Sequence, residues 1–203
     1  MFQKEPARLM ERRSFLFTGA AALIGLVYVI REGIESLHAE PEVVGQPQPV
    51  TIVEFTDDGE RKGAVTVLTI EKAESAWKNQ LSAASFEVTR HAGTEFPYSG
   101  ALLNVHDEGV FRCICCDTAL FDSATKFDSG TGWPSFWAPI AEENLVETPD
   151  NSLAMTRTAV LCRRCAAHLG HVFDDGPEPT GLRYCVNSVA MRFAKGSGAR
   201  SDS

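Results

Sequence analysis

Apolar and polar positions change rhythm several times along this chain. An uncharged run over residues 14–30 comes first and is closed by Arg31. Residues 40–49 are polar and carry Pro41, Pro47 and Pro49, which predicts a linker. Two β-rich runs follow at 50–55 and 65–70, separated by Asp57-Asp58-Gly59 and Gly63. That pattern predicts a hairpin or paired strands, an extension that packs on the main domain. Residues 71–80 predict a helix with Ala76, Trp77 and Leu81 as apolar contacts. Beyond it, short β-rich runs alternate with Gly, Pro and Asp turns, the pattern of a mainly β, antiparallel domain. In Arg183-Tyr184-Cys185-Val186-Asn187-Ser188 a strand points successive side chains to opposite faces. Arg183, Cys185 and Asn187 then share one face, and counting on in twos adds Phe193.

The chain has 203 residues, enough for one domain plus extensions, and a net charge of −8. An acidic surface does not suit phosphate, so a nucleic-acid partner is not expected. The uncharged run follows Arg12-Arg13-Ser14-Phe15-Leu16, a twin-arginine export pattern. The expectation is an exported protein, periplasmic or membrane-anchored and facing the periplasm. Leu37-His38-Ala39 is a poor match to a small-residue cleavage site. Membrane contact would then come only through an uncleaved signal.

Six cysteines sort unevenly. Cys113 and Cys116 form one C-x-x-C pair, and Cys162 and Cys165 form another. A two-residue spacer lets two thiolates from one turn reach one ion, and zinc takes four soft ligands in a tetrahedron. Four protein ligands leave no open position, so a single structural zinc is expected. Two rivals stand beside it: disulfides, given an oxidising compartment, and a local site of Cys162, Cys165, His168 and His171, which recur at three-residue steps. Cys185 remains as candidate nucleophile and Cys115 as a spare. Free cysteine is often only a small core residue. A guanidinium beside Cys185 would instead favour its thiolate, the reactive form.

Three motifs change the weight of these readings: Ala167-His168-Leu169-Gly170-His171-Val172-Phe173, Ser129-Gly130-Thr131-Gly132-Trp133-Pro134-Ser135-Phe136, and the segment 183–193. Together they resemble the methionine sulfoxide reductase B family, over roughly residues 76–193. The resemblance implies coiled antiparallel sheets with a few short helices and a Cys₄ zinc site. It also implies reduction of the R epimer of peptide-bound methionine sulfoxide in oxidised proteins or peptides. Cys185 becomes the nucleophile, which passes through a sulfenic acid recycled by a thioredoxin-like reductant. His171 is the more direct proton donor, with His168 supporting. Asn187, on the Cys185 face, would bond substrate or order a water; Arg183 is a further candidate substrate contact, and either it or an imidazolium would assist the thiolate. Trp133 would face the substrate methyl, with Phe193 as a further aromatic contact. Many relatives carry a resolving cysteine where this chain has Thr131, so that disulfide route is closed. The expected organisation is 1–39 signal or membrane anchor, 40–49 linker, 50–71 β extension, 72–195 catalytic domain and 196–203 tail. A non-catalytic zinc-stabilised interaction module is the competing reading, and it leaves the histidine pair unused.

Overall fold

The computed structural model describes residues 44–152 and 156–198. The expected signal at 1–39, the linker residues 40–43 and the tail residues 199–203 lie outside them. Among the described residues, no helix is long and apolar enough to cross a membrane.

Among the described residues the fold is mainly β, with antiparallel sheets and two helices. Strands β1 (Pro49–Phe55) and β2 (Arg61–Leu68) pair as a two-stranded hairpin. The chain turns over Thr56–Glu60, where the Thr56 N–H donates to the Glu60 carbonyl and Gly59 takes φ 84°. The second strand therefore begins earlier than its apolar run. Gly63 lies inside it, opposite Glu54, beside a register shift between Glu54 and Phe55. The predicted strand at 65–70 is corrected to Arg61–Leu68.

The hairpin packs on the domain through Val53 and Phe55, which meet Val110 and Ala119. Asn144 is the polar clamp beneath it. Its Oδ1 accepts from the Val53 N–H at 2.7 Å, and its Nδ2 donates to the carbonyls of Val53 and Ala119 at 2.9 and 2.8 Å. Arg112 is buried here too, and its guanidinium donates to the Phe55 carbonyl and to Asp57.

Helix α1 (Glu74–Gln80) is shorter than the predicted 71–80. It buries Trp77, which Lys72 and Arg90 cover at 4.7 and 4.8 Å. A second helix, α2 (Ala83–His91), follows at once. Ser82 caps it, accepting from the Ser85 N–H, and Ala92 ends it in the left-handed region.

The remaining strands are β3 (Gly109–Cys113), β4 (Ala119–Asp122), β5 (Lys126–Phe127), β6 (Ser135–Phe136), β7 (Leu145–Asp150), β8 (Arg157–Cys162), β9 (His168–Phe173), β10 (Arg183–Val186) and β11 (Met191–Lys195). They form a six-stranded sheet in the order β5-β6-β10-β9-β8-β7 and a three-stranded sheet β11-β3-β4. Fully buried Phe111, Phe121 and Phe136 lie between them, with Phe121 stacked on Phe136 at 4.4 Å. β10 is thus an interior strand, flanked by β6 and β9. Its register sets Cys185 opposite Ser135 on one side and His171 on the other.

Candidate active site and metal centre

Directly opposed residues of an antiparallel pair share a face, so Cys185, His171 and Ser135 project together. His168 should point away, being three residues from His171 on one strand. It does not, because β9 carries a bulge. Val160 of β8 opposes Gly170 and Leu161 opposes His168, which leaves Leu169 as the extra residue. A bulge inverts the parity of the residues beyond it, and the two imidazole centroids come to 5.3 Å. The bulged Leu169 carbonyl accepts from both the backbone N–H and the side-chain Nδ2 of Asn187, each at 2.9 Å. Gly170 is required next to it, since a Cβ there would lie 2.0 Å from the Cys185 carbonyl oxygen.

Around Cys185 is an open cavity of about 120 Å³. A water's share of liquid volume is ~30 Å³, so the space suits the end of a side chain rather than a large cofactor. Trp133 and Phe173 give it aromatic walls, and His171, Arg157 and Asn187 give it polar ones. Trp133 is fixed by its Nε1–H, which donates to the Glu95 carbonyl at 3.1 Å. Thr131 sits against the thiol, its Oγ1 3.9 Å from Cys185 Sγ, and joins Ser129 (2.8 Å) and through it Ser135 (2.7 Å).

His171 Nε2 meets Asp150 Oδ2 at 2.7 Å, and Arg157 Nη2 donates to the same oxygen at 2.8 Å. The Ser152 backbone N–H, foremost, and then His171 hold the Asp150 carboxyl well below the usual carboxylate range. A fixed anion therefore backs His171. His168 is different. Burial pushes it down to about 4, its Nε2 has no partner, and it is neutral at neutral pH.

The expected residues fare unequally in this geometry. Cys185, His171, Trp133 and Asn187 meet at one cavity. Arg183 lies on the Cys185 face but grips Asp175 with Nε and Nη2, both at 2.8 Å, and covers the Phe173 ring at 4.4 Å. It does not line the cavity. Its effect on the thiol has the expected direction but is outweighed: burial pushes Cys185 up by more than the Thr131 hydroxyl and the Arg183 charge lower it. Asn187 bonds the protein rather than facing outward: Nδ2 goes to Leu169 and Oδ1 accepts from the Glu95 N–H at 3.0 Å. Phe193 is a correction. The 3₁₀ turn Ser188–Ala190 breaks the strand, so counting in twos fails beyond it. Phe193 belongs to β11 in the other sheet, packed on Phe111 with centroids 5.0 Å apart. Sequence reasoning missed Asp150 and Arg157. They close the open ends of β7 and β8 as a register pair, and the turn sequence Asp150-Asn151-Ser152 was the available signal.

The two C-x-x-C segments fold alike. Cys113 N–H donates to Thr118 O and Asp117 N–H returns to Cys113 O; Cys162 N–H donates to Ala167 O and Ala166 N–H returns to Cys162 O, all at 2.9 Å. Asp117 and Ala166 both take positive φ, 66° and 53°. The four sulfurs lie within 4.8 Å of one another, with Cys113–Cys165 at 3.6 Å and Cys116–Cys162 at 3.5 Å. Tetrahedral thiolates around zinc at ~2.3 Å would be ~3.8 Å apart, while a disulfide needs about 2.05 Å. The donor set therefore fits a metal ion, and the cysteines are unbridged. His171 is tied to Asp150, and the grouping found among the described residues is the four-cysteine one.

A family model described as the SelR domain matches residues 81–195, from the end of α1 through β11. The peptide methionine sulfoxide reductase MsrB of Hahella chejuensis (strain KCTC 2396) is 50% identical over 129 residues, 64% of this chain and 93% of that protein. The protein of the same name from Pseudomonas savastanoi pv. phaseolicola (strain 1448A / Race 6) is 55% identical over 122 residues, 60% of this chain and 93% of that protein. This chain belongs to the methionine sulfoxide reductase B family. Within the family domain lie the Cys185 cavity, the His171–Asp150 pair and both C-x-x-C segments. The hairpin β1–β2 lies before the matched residues.

Proposed function

We propose that this enzyme reduces peptide-bound methionine-R-sulfoxide through Cys185, with His171 as the proton carrier. The observation that carries the reading is the register of β10 against β9, which sets the thiol opposite an imidazole at the floor of an aromatic-walled cavity. The chain is an oxidoreductase of the MsrB type. Burial keeps Cys185 a thiol in the resting enzyme. His171 takes that proton as Sγ attacks the sulfoxide sulfur, and returns it to the oxygen. The oxygen then passes to Sγ: the Sγ–O bond forms as the S–O bond to methionine and the new Sγ–S bond break, leaving methionine and a Cys185 sulfenic acid that carries the oxygen and the proton. Asp150 holds the imidazole in place by its Nε2. Trp133 supports the substrate methyl, and Asn187 and Arg157 shape the polar side.

A thioredoxin-like dithiol then attacks the sulfenic sulfur, releasing water and forming a mixed disulfide, and its second thiol frees Cys185. Two features support external recycling. Thr131 cannot form a disulfide, and Cys115 is buried between two metal ligands. Zinc is the metal we assign to Cys113, Cys116, Cys162 and Cys165; it would tie the two C-x-x-C segments together and add folding stability. The twin arginines at Arg12 and Arg13 support export, with action on oxidised proteins outside the cytoplasm. The test is turnover of each sulfoxide epimer with dithiothreitol. The R epimer should be consumed and the S epimer spared; comparable turnover of both contradicts the proposal.

A further inference from the structure

Trp133 also walls a second cavity, of about 240 Å³, with Tyr98, Leu103, Lys126 and Phe127. The segment 94–98 runs past the indole from one cavity to the other. Thr94 lines the first, the Glu95 carbonyl holds Trp133 Nε1, and Tyr98 lines the second. Along this segment Phe96 is 84% exposed and Tyr98 is 68% exposed, more than any other large apolar residue among those described. Scattered exposed apolar residues need no explanation. These two are a pair beside the reactive cavity, and Tyr98 is held in place. Its N–H donates to Gly132 O at 2.8 Å and its hydroxyl to Gly130 O at 2.6 Å. Its backbone also sits at φ 63°, a costly conformation for a bulky residue. A rigid, exposed aromatic ring has little entropy left to lose on contact, the usual property of an interface anchor.

We infer that the second cavity and the Phe96–Tyr98 ridge bind the substrate polypeptide beside the sulfoxide, taking an apolar or aromatic side chain one or two residues along. This rests on the reductase reading of the Cys185 cavity. An extended chain advances ~3.3 Å per residue, so one or two residues suffice to carry a neighbouring side chain past the shared indole. The ridge is uncharged, whereas Asn104, His106, Lys126 and Asp128 give the cavity a polar side, so the apolar contact falls on Phe96, Tyr98 and the Trp133 indole. It favours unfolded segments, whose buried side chains have become accessible, and offers free methionine sulfoxide nothing.

Three substrates test this with dithiothreitol as reductant: a pentapeptide with central methionine-R-sulfoxide and leucine on all other positions, its glycine counterpart, and N-acetyl-methionine-R-sulfoxide. A partly buried leucine supports a preference of about tenfold in kcat/KM for the leucine peptide over the glycine one, expressed mainly in KM. Phe96→Ser and Tyr98→Ser should each cut that ratio about threefold. Tyr98→Phe, which keeps the ring, should preserve most of it. Equal kcat/KM for the two peptides overturns the inference, as does a ratio unmoved by both serine variants. If N-acetyl-methionine-R-sulfoxide still turns over in that case, the reductase reading stands. Failure of all three substrates with the unaltered enzyme removes the reductase reading and the inference together.

Discussion

Burial raises the Cys185 thiol above the ordinary cysteine range, so the thiolate fraction at neutral pH is smaller than that of a free cysteine. Alkylation of Cys185 by iodoacetamide should therefore climb with pH past the range of a small thiol. Thr131→Val, which removes a hydroxyl that lowers the thiol, should move the midpoint further up; a midpoint below that of free cysteine contradicts this. Asp150→Asn leaves His171 without its anion and should lower kcat about tenfold with little change in KM, a split read from initial rates. His168 offers a separate check. It is pushed down to about 4, whereas an unfolded-chain histidine titrates near ~6.5. Between those values the unfolded chain binds a proton that the native one does not, so stability falls as pH falls through that window. His168→Leu should lessen the fall in urea midpoint from pH 6.5 to 4. Cys185, His171 and Trp133 were legible as residue types in motifs. Asp150 was not, because an aspartate closing a strand looks like a turn residue until the histidine opposite is known.

Elements decide which of those residues meet. The β-rich character, the hairpin and the helix near Trp77 were readable from periodicity. Helix α2 was hidden because Phe86-Glu87-Val88-Thr89 alternates as a strand does, and the Ser82 cap and burial against the domain win over that local pattern. The bulge at Leu169 was hidden for a related reason: it depends on pairing with β8, and without it His168 would be assigned to the wrong face. The break at Ser188–Ala190 likewise moved Phe193 out of reach. Two substitutions test the elements. Asn144→Ala deletes three bonds and leaves the Val53 and Ala119 backbone groups unpaired, which should cost about 3 kcal/mol in urea unfolding; a loss under about 1 kcal/mol contradicts the clamp. Gly170→Ala forces β9 and β10 apart at Cys185, and activity should fall by more than tenfold with secondary structure kept by circular dichroism.

At the scale of the molecule, two C-x-x-C segments from different sheets meet at one four-sulfur cluster, so a metal ion held there would tie β3 to β8. The spacing made this donor set legible in the sequence, although the convergence of two distant pairs belongs to the fold. Cys162→Ser should lose bound zinc by metal analysis and lower Tm by several degrees; full zinc retention with unchanged melting contradicts the site. Cys115→Ser should keep most of its turnover with a dithiol. The central claim is that Cys185 itself receives the oxygen of the sulfoxide, and a single turnover without reductant tests it most directly. Mixed with excess methionine-R-sulfoxide peptide, the enzyme should form about one methionine per chain. Mass spectrometry with a sulfenic-acid trap should find one added oxygen at Cys185, and Cys185→Ser should form none. Methionine formed by Cys185→Ser, or a dominant Cys115–Cys185 disulfide in place of the trapped sulfenic acid, would contradict it.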